Sequence, residues 1–381
     1  MSDAIRKLVG EALSEIIESA KSGGPKVRVG LMASGSEHGA KEIALGARMA
    51  LGLGGVIPVL IGSKVEGFED LEYIECAECD IPARLEEAVK SGEVAGAVAM
   101  HFPFPLGVTT IGRVSTPGRG RPMILASTTG TSSTVRGEAM LRNAVYGIAT
   151  AKALGISDPT VGILNVDTAQ PVFRALSRMK EKGYAITFGS SVRADGGSVL
   201  RGNDILTGAV DVCVTDTLTG NVLVKMFSSF TTGGSYESTG WGYGPSCGEG
   251  WKNVVSIVSR ASGAPVIANA LAFTAQVIAG GLSELVAKEL EAARKAGFDE
   301  EVEALTPKAA SAEEEVKAPP AEPTDDELHG IDVLEIDNAV KVLWKEGIYA
   351  ESAMGCTGPV IKMPKRHMEK AAQLLKANGY L

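Results

Sequence analysis

Near the end of the chain a cysteine stands among glycines, in Met354-Gly355-Cys356-Thr357-Gly358-Pro359. Gly355 and Gly358 allow backbone conformations closed to other residues and let a substrate approach the main chain. Backbone N–H groups, with the cations Lys362, Lys365 and Arg366 close by in sequence, are surroundings that lower a thiol pKa from ~8.5 into the ~3.5–7.5 range of reactive cysteines. The same donors suit a developing oxyanion. A cysteine in a turn also serves as a small buried apolar residue, and residue types alone leave both readings open.

A second segment, residues 208–225, reads as a buried strand ending at Asp216 and a helix opened by Thr219, Gly220 and Asn221, with Lys225 further along. Unpaired amides and the dipole at such a helix start suit phosphate, and the carboxyl end of a strand is where α/β sheets bind ligands. Thr and Asn are also ordinary capping residues, so the segment reads equally as a well-capped helix. Ser34, Ser36 and His38 form a short Gly-rich loop before another helix, again a place for an anion or a base. His101 ends a strand. Cys247, beside glycine in a Ser/Gly-rich stretch, is the rival nucleophile, while Cys213 alternates into a strand core. Cys76 and Cys79 make one CxxC pair without the second pair that a structural zinc site wants, so no metal is expected.

The elements that must position these groups alternate. Apolar runs at 27–31, 56–61, 94–100, 123–126, 160–165, 186–188 and 211–214 read as strands, with helical stretches between most of them, the rhythm of parallel βαβ units. An amphipathic first helix falls on Ile5, Leu8, Val9, Leu13, Ile16 and Ile17. Residues 227–249 read as a long lid-like loop. Residues 261–283 carry no charge but hold Pro265, Asn269 and Gln276, which marks a buried core helix rather than a membrane span.

The 381 residues leave room for two domains, or three small ones. The expected division is 1–145, then 146–298, then an acidic Pro/Ala-rich linker at 299–328, then a C-terminal segment 329–381. Stretch 330–381 is too short for a core of its own and is expected to complete the first domain. A net charge of −9 excludes general attraction to nucleic acid or acidic lipid. Five sparse cysteines and no leader-like N-terminus place the chain in the cytoplasm, soluble and reduced.

The pattern GxxDVxVxDxxTGNVxxK over 208–225 resembles the phosphate acyltransferase family of phospholipid synthesis. Residues 144–165 resemble that family's helix, LGI-x-x-P turn and VGLLN strand, 58–62 its second strand and turn, and 358–362 its GPVIK strand. Within it, GSEHG at 35–39, the serine-rich middle, the acidic linker and the ending AESAMGCTGPVIKMP resemble the alpha-subunit branch of component C of glycine/sarcosine/betaine reductase complexes. This chain departs from the phospholipid branch, having Met363-Pro364-Lys365 where that branch follows GPVIK with a His-Gly pair, and carrying a hydroxyl-rich stretch over 127–134.

The resemblance implies two Rossmann-like α/β domains facing across a cleft, as in phosphate acyltransferases and phosphate acetyltransferases. It implies an acetyl group carried as a thioester on Cys356 and released as acetyl phosphate, with phosphate as co-substrate and no further cofactor. Gly355, Thr357, Gly358, Thr219, Gly220, Asn221, Asp216, Ser34, Ser36, His38 and Lys362 are the residues expected around phosphate and acyl group. The implied partners are a component C beta subunit and selenoprotein component A, in a homo- or hetero-oligomer. Two other readings keep the fold: direct phosphate attack on an acyl carrier protein or coenzyme A thioester, and a non-catalytic docking subunit.

Overall fold

Aliphatic strands with no polar face need cover on both sides, and the chain supplies it with helices. A computed structural model describes residues 26–193, 196–306, 316–332, 335–355 and 358–381. The expected first helix, Cys356 and Thr357 lie outside the described residues. The chain opens with β1 (Val27–Met32), α1 (Ala40–Leu53), β2 (Val56–Ile61), β3 (Glu72–Ile74), α2 (Ile81–Ser91) and β4 (Gly96–Ala99). It continues through β5 (Val108–Ser115), β6 (Pro122–Thr131), α3 (Arg136–Ala153), β7 (Thr160–Leu164), α4 (Ala169–Glu181), β8 (Thr187–Phe188), β9 (Val199–Leu200), α5 (Gly202–Thr207), β10 (Val212–Val214) and α6 (Thr217–Ser229). Then follow β11 (Gly244–Gly248), β12 (Val255–Ile257), α7 (Ala264–Ala279), α8 (Leu282–Lys295) and α9 (Phe298–Leu305). The last unit is β13 (Asp326–Leu328), α10 (Ile336–Lys345), β14 (Glu351–Gly355), β15 (Gly358–Met363) and α11 (Met368–Ala377).

The architecture is mixed α/β around one 12-stranded sheet in the order β3-β2-β1-β4-β12-β11-β5-β6-β10-β7-β8, with β9 beside β7. Two parallel halves, β3 to β12 and β6 to β8, meet through antiparallel pairings of β11 with β12 and with β5, and of β5 with β6. β11 joins both halves: Gly244 and Pro245 pair with β12, and residues 246–248 pair with β5. It passes this seam because Gly244 sits at φ 84°, and a Cβ there would lie 2.0 Å from the Ile111 carbonyl oxygen.

The structure redraws the expected boundaries. The stretch around residue 145 lies inside α3, whose residues 144–151 are buried in the second half's core. β12 and α7, rather than 330–381, return to the first half: Val255, Ile257, Ile267 and Leu271 share its core with β1, β2 and α1. The supposed linker begins too early, because residues 298–305 form α9, with Phe298 fully buried and the Glu301 carboxylate gripped by the Arg178 guanidinium. The expected lid at 227–249 ends in the buried strand β11.

The C-terminal unit has a three-stranded antiparallel sheet, β13-β15-β14, and a core of its own built on Leu343, Ile361, Met363, Ala371 and Leu375. Its contacts reach α4 of the second half: the Arg174 guanidinium donates to the carbonyls of Gly330 and Tyr380 and pairs with Glu335 at 3.0 Å. Among the described residues no single helix is long and apolar enough to cross a membrane. α7 and α8 are apolar enough together, but they bend by 59°, and most of α7 is buried in the protein core.

Candidate functional site

Parallel strands end at one edge of the first half, and the loops leaving β1, β4 and β12 meet α6 and the end of β6 there. Between them lies a cleft of about 330 Å³. Glu37 comes from the loop after β1, and residues 100–104 follow β4. Residues 257–260 follow β12, Thr129 ends β6, Asn221 and Lys225 lie one helical turn apart on α6, and Tyr243 precedes β11. This is the carboxyl-end crevice where α/β sheets hold ligands.

One wall is polar and cationic. The Lys225 ammonium donates to the Ser259 hydroxyl at 3.1 Å and pairs with Glu237 at 3.4 Å. Glu237 is buried and also accepts from the Ser262 hydroxyl at 3.0 Å, so it holds Lys225 from behind. Burial pulls the Lys225 pKa down, but the nearby Tyr243 and Glu237 outweigh it and leave the group above its ordinary value, cationic at neutral pH. Burial pushes the Tyr243 phenol up and keeps it neutral. Arg260 and His101 are exposed and also line the cleft, as does the exposed carboxylate Glu37. The other wall is apolar, with Met100, Phe102, Phe104, Ile257 and Val258. Such a lining suits an anion beside a short apolar group.

The Thr219-Gly220-Asn221 segment is a docking device. Asp216 caps α6, accepting from the Thr219 amide at 3.1 Å and from its hydroxyl at 2.6 Å. The Asp216 carboxylate thus takes the Thr219 amide, as the capping reading of the segment has it. Gly220 lets α6 press onto β6, since a Cβ there would meet the Ser127 carbonyl oxygen at 1.8 Å. Asn221 donates to the Thr128 carbonyl at 3.0 Å, and the hydroxyls of Thr217 and Ser127 bond at 2.8 Å. The segment thereby fixes the helix that carries Lys225 into the cleft.

The loop of Ser34, Ser36 and His38 borders the same cleft. Ser36 accepts from the His38 amide at 3.1 Å, and the Glu37 amide donates to the Arg260 carbonyl at 2.9 Å. The His38 ring is engaged elsewhere, 3.2 Å from the Ala261 carbonyl oxygen and edge-on to Tyr236. Ser34 is half-buried. Lys362 stands on the C-terminal sheet opposite Glu327 and Glu351, and Gly355 pairs with Gly358. The positions of Cys356 and Thr357 relative to the cleft are outside the described residues.

The described cysteines differ sharply. Cys213 and Cys247 are buried in β10 and β11, and burial pushes both thiols up to about 12. Cys247 is thus no accessible lid residue; its neighbour is the Thr150 hydroxyl at 3.8 Å. Cys76 is half-buried, its thiol pushed up by burial, and Cys79 is exposed. Among the described residues no group of three or more His, Cys, Asp or Glu side chains is placed to hold a metal. Nothing in the residue pattern singles out Arg260, Ser259 or Tyr243, and Lys225 carries no expected role from sequence. Only Lys225 had a sequence signal, lying four residues after Asn221 on one helix face.

The sequence model of a family described as "Fatty acid synthesis protein" matches residues 27–362. The alpha subunit of glycine/sarcosine/betaine reductase complex component C from Peptoclostridium acidaminophilum is 49% identical over 385 residues, covering 100% of this chain and 99% of that protein. A phosphate acyltransferase from Paramagnetospirillum magneticum is 32% identical over 181 residues, 40% of this chain and 48% of that enzyme. Among solved structures, a branched-chain phosphotransacylase from Enterococcus faecalis superposes with a TM-score of 0.44 at 16% identity, covering 66% of this chain and 99% of that one.

Proposed function

The chain belongs to the fatty acid synthesis protein family, and on that premise we propose that it is an acyl-transfer enzyme that forms acetyl phosphate within a glycine/sarcosine/betaine reductase system. An acetyl group arrives from selenoprotein component A, with a component C beta subunit assisting, and is held as a thioester on Cys356. A phosphate oxygen bonds to the acetyl carbon, the carbon–sulfur bond breaks, and the thiolate of Cys356 is released. Phosphate rests on Lys225, Ser259 and Arg260, and the acetyl methyl faces Phe102 and Phe104.

The observation that carries this reading is the cleft itself, in which a fixed lysine and a second cation face an apolar wall. The thiol assignment rests on the glycine neighbours of Cys356 and gains support from the burial of Cys213 and Cys247. The 49% identity to a component C alpha subunit supports the place in the complex.

Intact-mass analysis after incubation with an acetyl donor tests it. A hydroxylamine-labile acetyl adduct that phosphate discharges, and that Cys356→Ser lacks, is the expected result. Phosphate-dependent turnover without an adduct would shift the assignment to direct attack on the donor thioester. Neither adduct nor turnover would leave a docking subunit.

A further inference from the structure

A second cavity, of about 410 Å³, lies beside the cleft. Phe102 and Phe104 line the cleft, and their rings stand 6.5 and 6.2 Å from Trp251, which lines the second cavity. β6 also links the two spaces: Thr129 faces the first, and Ser132 and Ser133, just beyond the strand, face the second. Pro105, Leu106 and Val108 extend the apolar wall around Trp251.

The opposite side holds Tyr146, wholly buried in α3 yet lining this cavity. Among the described residues its hydroxyl has no hydrogen-bond acceptor; the Arg142 guanidinium beside it can only donate. Buried hydroxyls are nearly always paired, so an orphan at a cavity wall marks the place of a missing acceptor. Burial pushes the phenol up to about 12, which keeps it a neutral donor.

The charge around the cavity selects the acceptor. Arg142 pairs with Glu138 at 2.8 Å and with Glu249 at 3.3 Å, and Glu249 also pairs with Arg294 at 2.7 Å. Hydrogen bonding from Arg294 lowers the Glu249 pKa, so that carboxylate is ionised. Among the residues lining the cavity, the single cation Arg142 stands against the two carboxylates Glu138 and Glu249, leaving no surplus positive charge for an anion. A neutral carbonyl meets both the orphan donor and the apolar wall.

We propose that this cavity binds a neutral carbonyl-bearing chain of the amide or thioester class, its carbonyl accepting from the Tyr146 hydroxyl and its apolar part lying on Trp251 and Leu106. The proposal deepens the acyl-transfer reading, and rests on it for the thioester identity: the cavity seats the arm of the acyl donor one aromatic layer from the phosphate cleft.

Calorimetric titration of the full chain with S-acetyl-N-acetylcysteamine, a small neutral amide thioester, tests it. Tyr146→Phe is expected to weaken binding about tenfold, the worth of one neutral hydrogen bond, with little change in melting temperature, because the hydroxyl has no acceptor to lose and Arg142 keeps its carboxylate partners. Leu106→Lys, at an exposed position on the rim, is expected to weaken it as well, while titration with inorganic phosphate stays unchanged in both variants. Parental binding of the thioester by Tyr146→Phe would overturn the proposal, as would Tyr146-dependent binding of acetate with none of the thioester. If Tyr146-dependent binding holds while no acetyl phosphate forms, the site stands and the acyl-transfer reading falls. If acetyl phosphate forms but Tyr146→Phe changes nothing, the reading stands and the site falls.

Discussion

Asp216 holds Thr219 by two bonds, one carboxylate oxygen accepting from the amide at 3.1 Å and the other from the hydroxyl at 2.6 Å. A segment whose composition suits phosphate binding therefore spends its helix start on an internal carboxylate, and the cation that reaches the cleft is Lys225, further along the same helix. Asp216→Ala should lower stability by about 1 kcal/mol, the usual cost of a lost cap, and Asp216→Asn should retain most of it. Urea melts of the two variants would separate this from a ligand-binding role, in which the loss would appear in phosphate affinity with unchanged midpoints.

Gly220 is the sharper test of docking. Its missing Cβ would lie 1.8 Å from the Ser127 carbonyl oxygen, an approach to main chain that no side-chain rotation relieves. Gly220→Ala would normally favour a helix by about 1 kcal/mol, yet here it should destabilise by at least about 1–3 kcal/mol, as overpacking does. A thermal midpoint equal to or above the parent's would show that α6 can ride off β6 without cost.

The same pair of residues shows what the sequence made legible. The strand ending near Asp216 and the helix after it follow from apolar periodicity, and so do β1, β2, β7 and α10. Whether Asp216 or phosphate takes the Thr219 amide depends on a side-chain rotamer, which periodicity does not carry. β11 is not legible because Gly244, Pro245, Ser246, Cys247 and Gly248 offer no hydrophobic alternation to read, and at Gly244 the seam between the two halves leaves no room even for a Cβ. α9 was lost for the opposite reason. Phe298, Val302 and Leu305 do keep helical spacing, but Asp299, Glu300, Glu301 and Glu303 around them read as a solvated acidic run. Arg260 and Tyr243 reach the cleft only through the return of the chain to the first half, a matter of topology.

The buried thiols set an alkaline limit. Cys213 and Cys247 rise from an ordinary value of 9.0 to about 12 in the folded chain. In the unfolded chain they give up protons near pH 9 while the folded chain holds them, so the stabilisation they represent is complete below about pH 9 and is lost as pH climbs toward 12. Cys213→Ala and Cys247→Ala should flatten the fall in urea midpoint between pH 9 and 11. The same contrast predicts that iodoacetamide at pH 8 labels Cys79 well before Cys213 or Cys247. Rapid labelling of Cys247 in folded protein would restore it as a rival nucleophile.

Within the stretch first read as one linker, two behaviours are expected. Phe298→Ala should cost about 3–5 kcal/mol, as a large core truncation does, because Phe298 is fully buried. Replacing 307–315 by a Gly/Ser spacer of equal length should leave acetyl-phosphate formation within a few-fold of the parent. If the spacer variant stayed folded but lost turnover, that stretch would be a partner-docking element.

Lys225 carries the phosphate assignment, and its test must separate charge from support. Among the described residues, removing the ammonium alone leaves the buried Glu237 carboxylate with the Ser262 hydroxyl as its side-chain partner, so Lys225→Met should lose stability as well as phosphate binding, and a loss of binding would then be ambiguous. The double variant Lys225→Met/Glu237→Gln removes both charges and leaves a neutral amide that Ser262 can still bond, so its melting temperature should recover toward the parent's. Phosphate affinity should stay about 10-fold or more below the parent's, the scale of a lost charge-assisted contact. Lys225→Arg should keep part of that affinity, because the charge remains while the guanidinium no longer fits the bond to Ser259 that orients the ammonium. A double variant that is stable and binds phosphate like the parent would move the anion site away from α6, toward Arg260 and His101 on the same rim.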